Sequence, residues 1–245
     1  MTCSSIISPT GKQSSRDWLK KMGNKIAVYT CITGNYDSLR KHRNSRNPDI
    51  DFICFTDNPS LLFNDNGWTI KPIPQDLLGL SKIKQQRLVK ILPHRYLKGY
   101  DLSLWVDGNI EIRCDVDDFL KSLDFEKFHF YTRKHPSRDC VYEEAKSILG
   151  FGKDSPQIVN PQIEEYRKEG YPEHFGLAET CIIARKHNEV DCQILDNKWA
   201  SELTGKSHRD QLSFDYSRWK TETEVGYFKL ETLTKDKNFR WRKHG

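Results

Sequence analysis

An α/β fold, with a mostly parallel central sheet flanked by helices, is the architecture this sequence predicts. Short apolar runs of strand length recur along the chain, charged stretches of helical spacing separate them, and turn-forming residues stand where the apolar runs end. Strands alternating with helices point to a sheet covered on both faces. A length of 245 residues with 36% hydrophobic content suits one domain around one core. No internal repeat at a period of about 20–50 residues competes with that reading.

The first strand is expected over 25–33, a β-branched and aromatic run that leaves through Gly34-Asn35-Tyr36-Asp37. Asp51-Phe52-Ile53-Cys54-Phe55-Thr56-Asp57 predicts the second, halted at Asn58-Pro59. A weaker run over 68–73 follows the turn Asn66-Gly67 and belongs near a sheet edge, because Pro72 has no N–H to give a ladder. From 81 to 92, Ile83, Leu88, Ile91 and Leu92 return at near-helical spacing among Lys82, Lys84, Arg87 and Lys90 until Pro93 stops them, which predicts an amphipathic basic helix. Residues 101–107 form the next strand, with Asp107-Gly108-Asn109 as its exit turn. Runs at 128–132 and 180–184 complete the strands, and helices are expected over about 138–150, 159–169 and 189–203. Residues 1–24 form a flexible or loosely helical lead-in, 25–220 the domain, and 221–245 a basic aromatic extension with a solvated end.

Composition narrows the class. No stretch approaches the roughly 20 apolar residues of a membrane-spanning helix, and the first residues lack the apolar segment of a secretion signal. Seven scattered cysteines without a C-x-x-C pair read as reduced thiols, with Cys31, Cys54 and Cys181 inside apolar runs. These features predict a soluble cytoplasmic protein. The formal charge of +5 is spread along the chain with no recognisable nucleic-acid module. The basic surface and tail leave peripheral association with a membrane open.

In an open α/β sheet, ligands bind beyond the carboxyl ends of the strands, so the exit residues carry most weight. Asp107 stands at such an exit, and Asn109 offers a second oxygen two residues on. That spacing can present both to one hard cation while a diphosphate fills the remaining positions. Gly108 allows a tight approach of the backbone. A plain β-turn is the alternative. Lys84, Arg87 and Lys90 share one stripe of the basic helix, either as a solvated face or with Lys84 or Arg87 reaching a diphosphate. His135, Arg138, Asp139 and Glu143 form a dense polar cluster: Arg138 suits a phosphate or sugar carboxylate, and Asp139 or Glu143 suits sugar hydroxyls or proton abstraction, against a surface salt-bridge network.

Six ordered blocks bear a resemblance: 27–37, 53–58, 90–97 (Lys90-Ile91-Leu92-Pro93-His94-Arg95-Tyr96-Leu97), Trp105-Val106-Asp107-Gly108-Asn109, 135–144, and Arg209-Asp210-Gln211-Leu212-Ser213-Phe214. Over 25–220 the chain resembles a glycosyltransferase-like family of bacterial and plant proteins once classed as a domain of unknown function. The resemblance implies a GT-A nucleotide-sugar transferase fold, in which an Asp-x-Asp motif at a strand end holds Mn²⁺ or Mg²⁺ and the donor diphosphate. Here Asn109 replaces the second Asp, and its neutral amide oxygen is a weaker ligand. The same resemblance makes His208 a third metal ligand and Asp210 an acid–base or acceptor-binding residue, against a surface His and a helix-capping Asp. It places the nucleoside at Thr30, Thr33 and Tyr36, with Asp57 on the base or ribose and Tyr36 as a stacking surface.

The expected activity is therefore transfer of a sugar from a nucleoside-diphosphate sugar to a glycan or surface-polysaccharide acceptor. The alternatives are metal-dependent hydrolysis at the same residues and a carbohydrate-binding module that stacks sugars on its six Trp and ten Tyr.

Overall fold

The computed structural model describes residues 25–43 and 45–244; the lead-in and Cys3 fall outside them. Strand β1 (Ile26–Ile32) is buried along its whole length, as an apolar run covered on both faces requires. It pairs in parallel with β2 (Ile50–Thr56) and with β4 (Leu102–Val106), and β2 pairs in parallel with β3 (Thr69–Pro72). Strand β7 (Ala178–Arg185) runs antiparallel between β4 and β6 (Phe130–Lys134), and β8 (Gly226–Tyr227) lies parallel to β6. The seven-stranded order is β3-β2-β1-β4-β7-β6-β8. Strand β3 occupies the edge expected of a run containing Pro72.

Alternation along the strands divides the core. Val28, Leu104 and Ile182 point into one apolar cluster. Ala27, Tyr29, Trp105 and Ile183 point into the other, beneath helices α1 (Lys82–Ile91) and α6 (Val190–Gly205). Ser81 accepts from the Lys84 N–H to cap α1, and Pro93 opens the short α2 (Pro93–Tyr96) at its end. Helix α3 (Val116–Lys121) covers the first face, while α4 (Val141–Gly150), α5 (Pro156–Lys168) and α7 (Gln211–Lys220) enclose a third cluster rich in tyrosine. None of the described helices is long and apolar enough to cross a membrane.

Two features depart from expectation. The tail, read from sequence as a solvated end, contributes β8 to the main sheet and β9 (Phe239–Trp241) to a two-stranded ribbon with β5 (Ile110–Ile112). Phe239 is fully buried, so apolar burial draws the basic segment in. The antiparallel setting of β7 is the second. Val106 pairs with Ile182 and Ser103 with Arg185, so the beginning of β7, not its end, lies beside the Asp107 turn.

Candidate active site at the β4 exit

Asp107 leaves β4 with its backbone N–H bonded to the Cys181 carbonyl at 2.9 Å. Its Oδ1 accepts from the Trp105 indole N–H at 2.8 Å, which fixes the carboxylate while leaving its side chain 26% exposed. Gly108 sits in a crowded turn: a Cβ there would stand 3.1 Å from Ile32 Cγ1 and 3.2 Å from Asp37 Oδ2, so its neighbours would have to give way. The exit of β4 is thereby pressed against the exit of β1.

Helix α1 turns Arg87 and Lys90 toward this exit. Lys90 Nζ lies 2.6 Å from Asp210 Oδ2, 3.0 Å from Thr180 Oγ1 and 3.8 Å from Asp107 Oδ1, and is almost fully buried. Arg87 Nε lies 3.1 Å from the other Asp210 oxygen. Burial alone would raise the Asp210 carboxyl, but the charges of Arg87 and Lys90 override it and hold the group well below the usual carboxylate range. Asp210 occupies the cap position of α7, yet its side chain makes no cap bond. Its carboxylate serves the two cations instead, which disposes of the capping alternative.

A sealed framework holds α1 from behind. The Lys90 carbonyl accepts from Tyr29 Oη at 2.7 Å and from the Arg185 guanidinium. Arg185 also reaches Tyr29 Oη at 2.6 Å and pairs with Asp196 at 2.5 Å, both charges wholly buried. Burial raises the Asp196 carboxyl, and Arg185 only partly offsets this. The Tyr29 hydroxyl, desolvated, is pushed up to about 12.

The remaining predicted residues divide. Thr33 donates to the Lys82 carbonyl at 2.9 Å, and Asp57 accepts from the Gly34 N–H at 2.9 Å and pairs with Lys82 at 2.8 Å. Burial would raise the Asp57 carboxyl; these hydrogen bonds outweigh it and lower it. Tyr36 is 66% exposed, its ring 4.8 Å from that of His244. Thr30 is buried within β1 rather than at its exit, with its hydroxyl unpaired.

Lys84 departs from the stripe and donates to the Thr204 carbonyl at 2.8 Å, where a helix end supplies a better partner than solvent. In the 135–144 cluster, Arg138 pairs with Glu144 at 2.7 Å, Asp139 with His174 at 2.7 Å, and Glu143 is exposed. That is the salt-bridge network named as the alternative. His135 is pushed down to about 4 by burial and by Arg138 and Arg133.

His208 and Asn109, expected as metal ligands beside Asp107, each have a protein partner in the structure. His208 Nδ1 is engaged by Asp154 at 3.1 Å, and the Asn109 amide faces His244 Nε2 at 3.3 Å, whose other nitrogen meets Asp37 at 2.7 Å. Among the described residues no cluster of three or more His, Cys, Asp or Glu is spaced to hold a metal ion. The positive charge at the turn comes from Arg87 and Lys90.

Glu179 was not anticipated. It stands at the start of β7, 2.8 Å from Arg133, with its carboxyl raised by burial first and then by Asp107 and Glu144, against the lowering pull of Arg133 and Lys90. Reading only strand exits misses it, since an antiparallel strand brings its entry to the crevice. Asp37 and His244 are equally unforeseen, being 207 positions apart.

A cluster of charged side chains at the strand ends of a seven-stranded α/β sheet defines the class. Residues 6–240 match the family described as TOD1/MUCI70, glycosyltransferase-like domain, and the chain belongs to that family. It is 27% identical over 225 residues to a probable hexosyltransferase, MUCI70, of Arabidopsis thaliana, covering 82% of this chain and 38% of that protein. It is 24% identical over 234 residues to the alkaline ceramidase TOD1 of the same plant, covering 84% of this chain and 50% of that protein. The chain thus spans half or less of the length of these relatives.

Proposed function

We propose that this chain transfers a hexosyl unit from a nucleoside-diphosphate sugar to a glycan acceptor at the β4 exit. The carrying observation is that two cations, Arg87 and Lys90, share one buried carboxylate, Asp210, beside the half-exposed Asp107. Breaking the glycosidic bond to a diphosphate leaves negative charge on the departing oxygens. Fixed cations in a water-poor site stabilise that charge without reorganising as it forms. Asp210 holds both cations in place and stays ionised while doing so. On this reading Glu179, at the start of β7 beside the Asp107 turn, accepts the proton of the acceptor hydroxyl, and burial that raises its carboxyl supports that role. Thr33, Tyr36 and Asp57 line the neighbouring β1 and β2 exits and receive the nucleoside, with Tyr36 as the stacking surface.

The relative named a ceramidase favours a second reading, in which water replaces the acceptor and the same groups perform hydrolysis. One titration series separates the readings. Nucleoside diphosphates and their sugars are titrated into the native protein and into Asp107→Ala and Lys90→Met, with and without Mn²⁺, and free sugar is assayed. Micromolar binding of one nucleotide that both substitutions weaken supports the transferase. Donor binding with sugar release that no acceptor suppresses supports hydrolysis. Absence of nucleotide binding under every condition rejects the transferase.

A further inference from the structure

A cleft of about 490 Å³ lies at the opposite end of the β5–β9 ribbon from the catalytic turn, walled by Arg43, Arg46, Arg113 and Lys237 with Asp115 and Asp118. Three chain segments run from the candidate active site into it. The loop after β1 brings Asp37 to the turn and Arg43 and Arg46 to the cleft. The segment through β5 brings Asn109 to the turn and Arg113 to the cleft. The last segment brings His244 to the turn and Lys237 to the cleft. The ribbon keeps these ends in fixed relation: Arg242 N–H bonds the Asn109 carbonyl at 2.9 Å at one end, and Arg113 N–H bonds the Asn238 carbonyl at 2.8 Å at the other. Four residue steps along a strand span about 13 Å, the length of a short oligosaccharide.

The charges in this cleft are unspent. Arg87, Lys90, Arg133, Arg138 and Arg185 all face carboxylates within the fold. None of the four cleft cations makes an ion pair among the described residues. Of the two carboxylates, Asp115 is committed to its own helix, accepting from the Asp117 N–H at 3.0 Å. The Asn47 amide donates to Asp117 at 3.1 Å and pins the loop that carries Arg43 and Arg46. Arginine forks match carboxylates in two-point contacts, and Phe119 adds an apolar floor while Ser122 and Asn238 add a hydroxyl and an amide.

We infer that this cleft binds an acidic glycan, gripping the carboxylates of uronic-acid units a few sugars away from the reacting end. Its description as an acceptor subsite rests on the transferase reading; its affinity for acidic saccharide does not.

The test is titration of an oligouronide and a neutral oligosaccharide of equal length into the native protein, Arg46→Glu/Arg113→Glu, and Asp107→Ala, with inorganic phosphate and anionic phospholipid vesicles as further probes. The oligouronide is expected to bind, to weaken with added salt, and to lose at least tenfold in affinity in the double variant, which should keep native nucleotide binding. Asp107→Ala should retain the oligouronide and lose the nucleotide. Equal binding of the neutral sugar, indifference of the double variant, or binding only of phosphate or vesicles overturns the inference. Nucleotide binding that fails in the native protein while oligouronide binding depends on the arginines rejects the transferase reading and leaves the acidic-glycan site standing.

Discussion

Two buried ionic clusters grip opposite ends of the same residue, and they differ in what they leave available. Around the Lys90 side chain, two cations share Asp210, whose carboxyl is lowered, and the half-exposed Asp107 stands next to them. Behind the Lys90 carbonyl, one cation meets one carboxylate, Arg185 with Asp196, both wholly buried, and the carboxyl is raised. Two cations shared between two carboxylates, one of them open to solvent, leave charge that an incoming ligand can still reach. A one-to-one pair sealed from water suits a structural role, because its charges have no other partner to gain.

If the sealed pair is structural, Asp196→Ala should give the largest loss of stability, about 3–5 kcal/mol in urea unfolding, because it strands Arg185 without its counter-charge. A loss below about 1 kcal/mol would erase the contrast. At the open cluster the loss should fall on turnover. Lys90→Met is expected to lower kcat on the order of 10²–10³-fold, the cost of removing one stabilising donor at the developing charge. Unchanged kcat in a folded variant would move the chemistry elsewhere.

Acid should distinguish the clusters next. Because the Asp210 carboxyl is lower in the folded state than its ordinary 3.8, its stabilising contribution is complete above that value and fades as pH falls through the folded value. Denaturation midpoints of native protein should therefore drop on acidification below about pH 4, and Asp210→Asn should flatten that drop. An equally steep drop in the variant would assign the acid sensitivity to other carboxylates. The smallest effect is expected from Tyr29→Phe, which deletes one hydrogen bond to the Lys90 carbonyl and one acceptor for Arg185, about 1–2 kcal/mol. Tyr29 positions Lys90 rather than touching substrate, so kcat should fall with little change in KM for the donor.

Much of the fold was legible because it rests on local periodicity. The runs that became β1, β2, β4, β6 and β7 are apolar over strand length, and the turn to helical spacing after Ser81 marks α1. Pro72 marked an edge because its missing donor is a local fact. The Asp107 turn was legible for the same reason, as a polar residue leaving a buried run. Glu179, Asp37 and His244 were not, nor were the partners of His208 and Lys84, because these depend on strand direction and on groups distant in sequence. Asp154 for His208 and Thr204 for Lys84 are such partners.

Residue order alone was enough to specify the alternation of strands and helices, the edge strand, the basic helix and the polar exit of β4, since each follows from side-chain spacing and turn chemistry within a few residues. Tertiary structure decided which cations gather at that exit, that β7 reverses to bring Glu179 there, and that the tail closes the ribbon beside it. Those outcomes depend on desolvation and pairing between groups separated by tens to hundreds of positions, energies that exist only once the chain has folded.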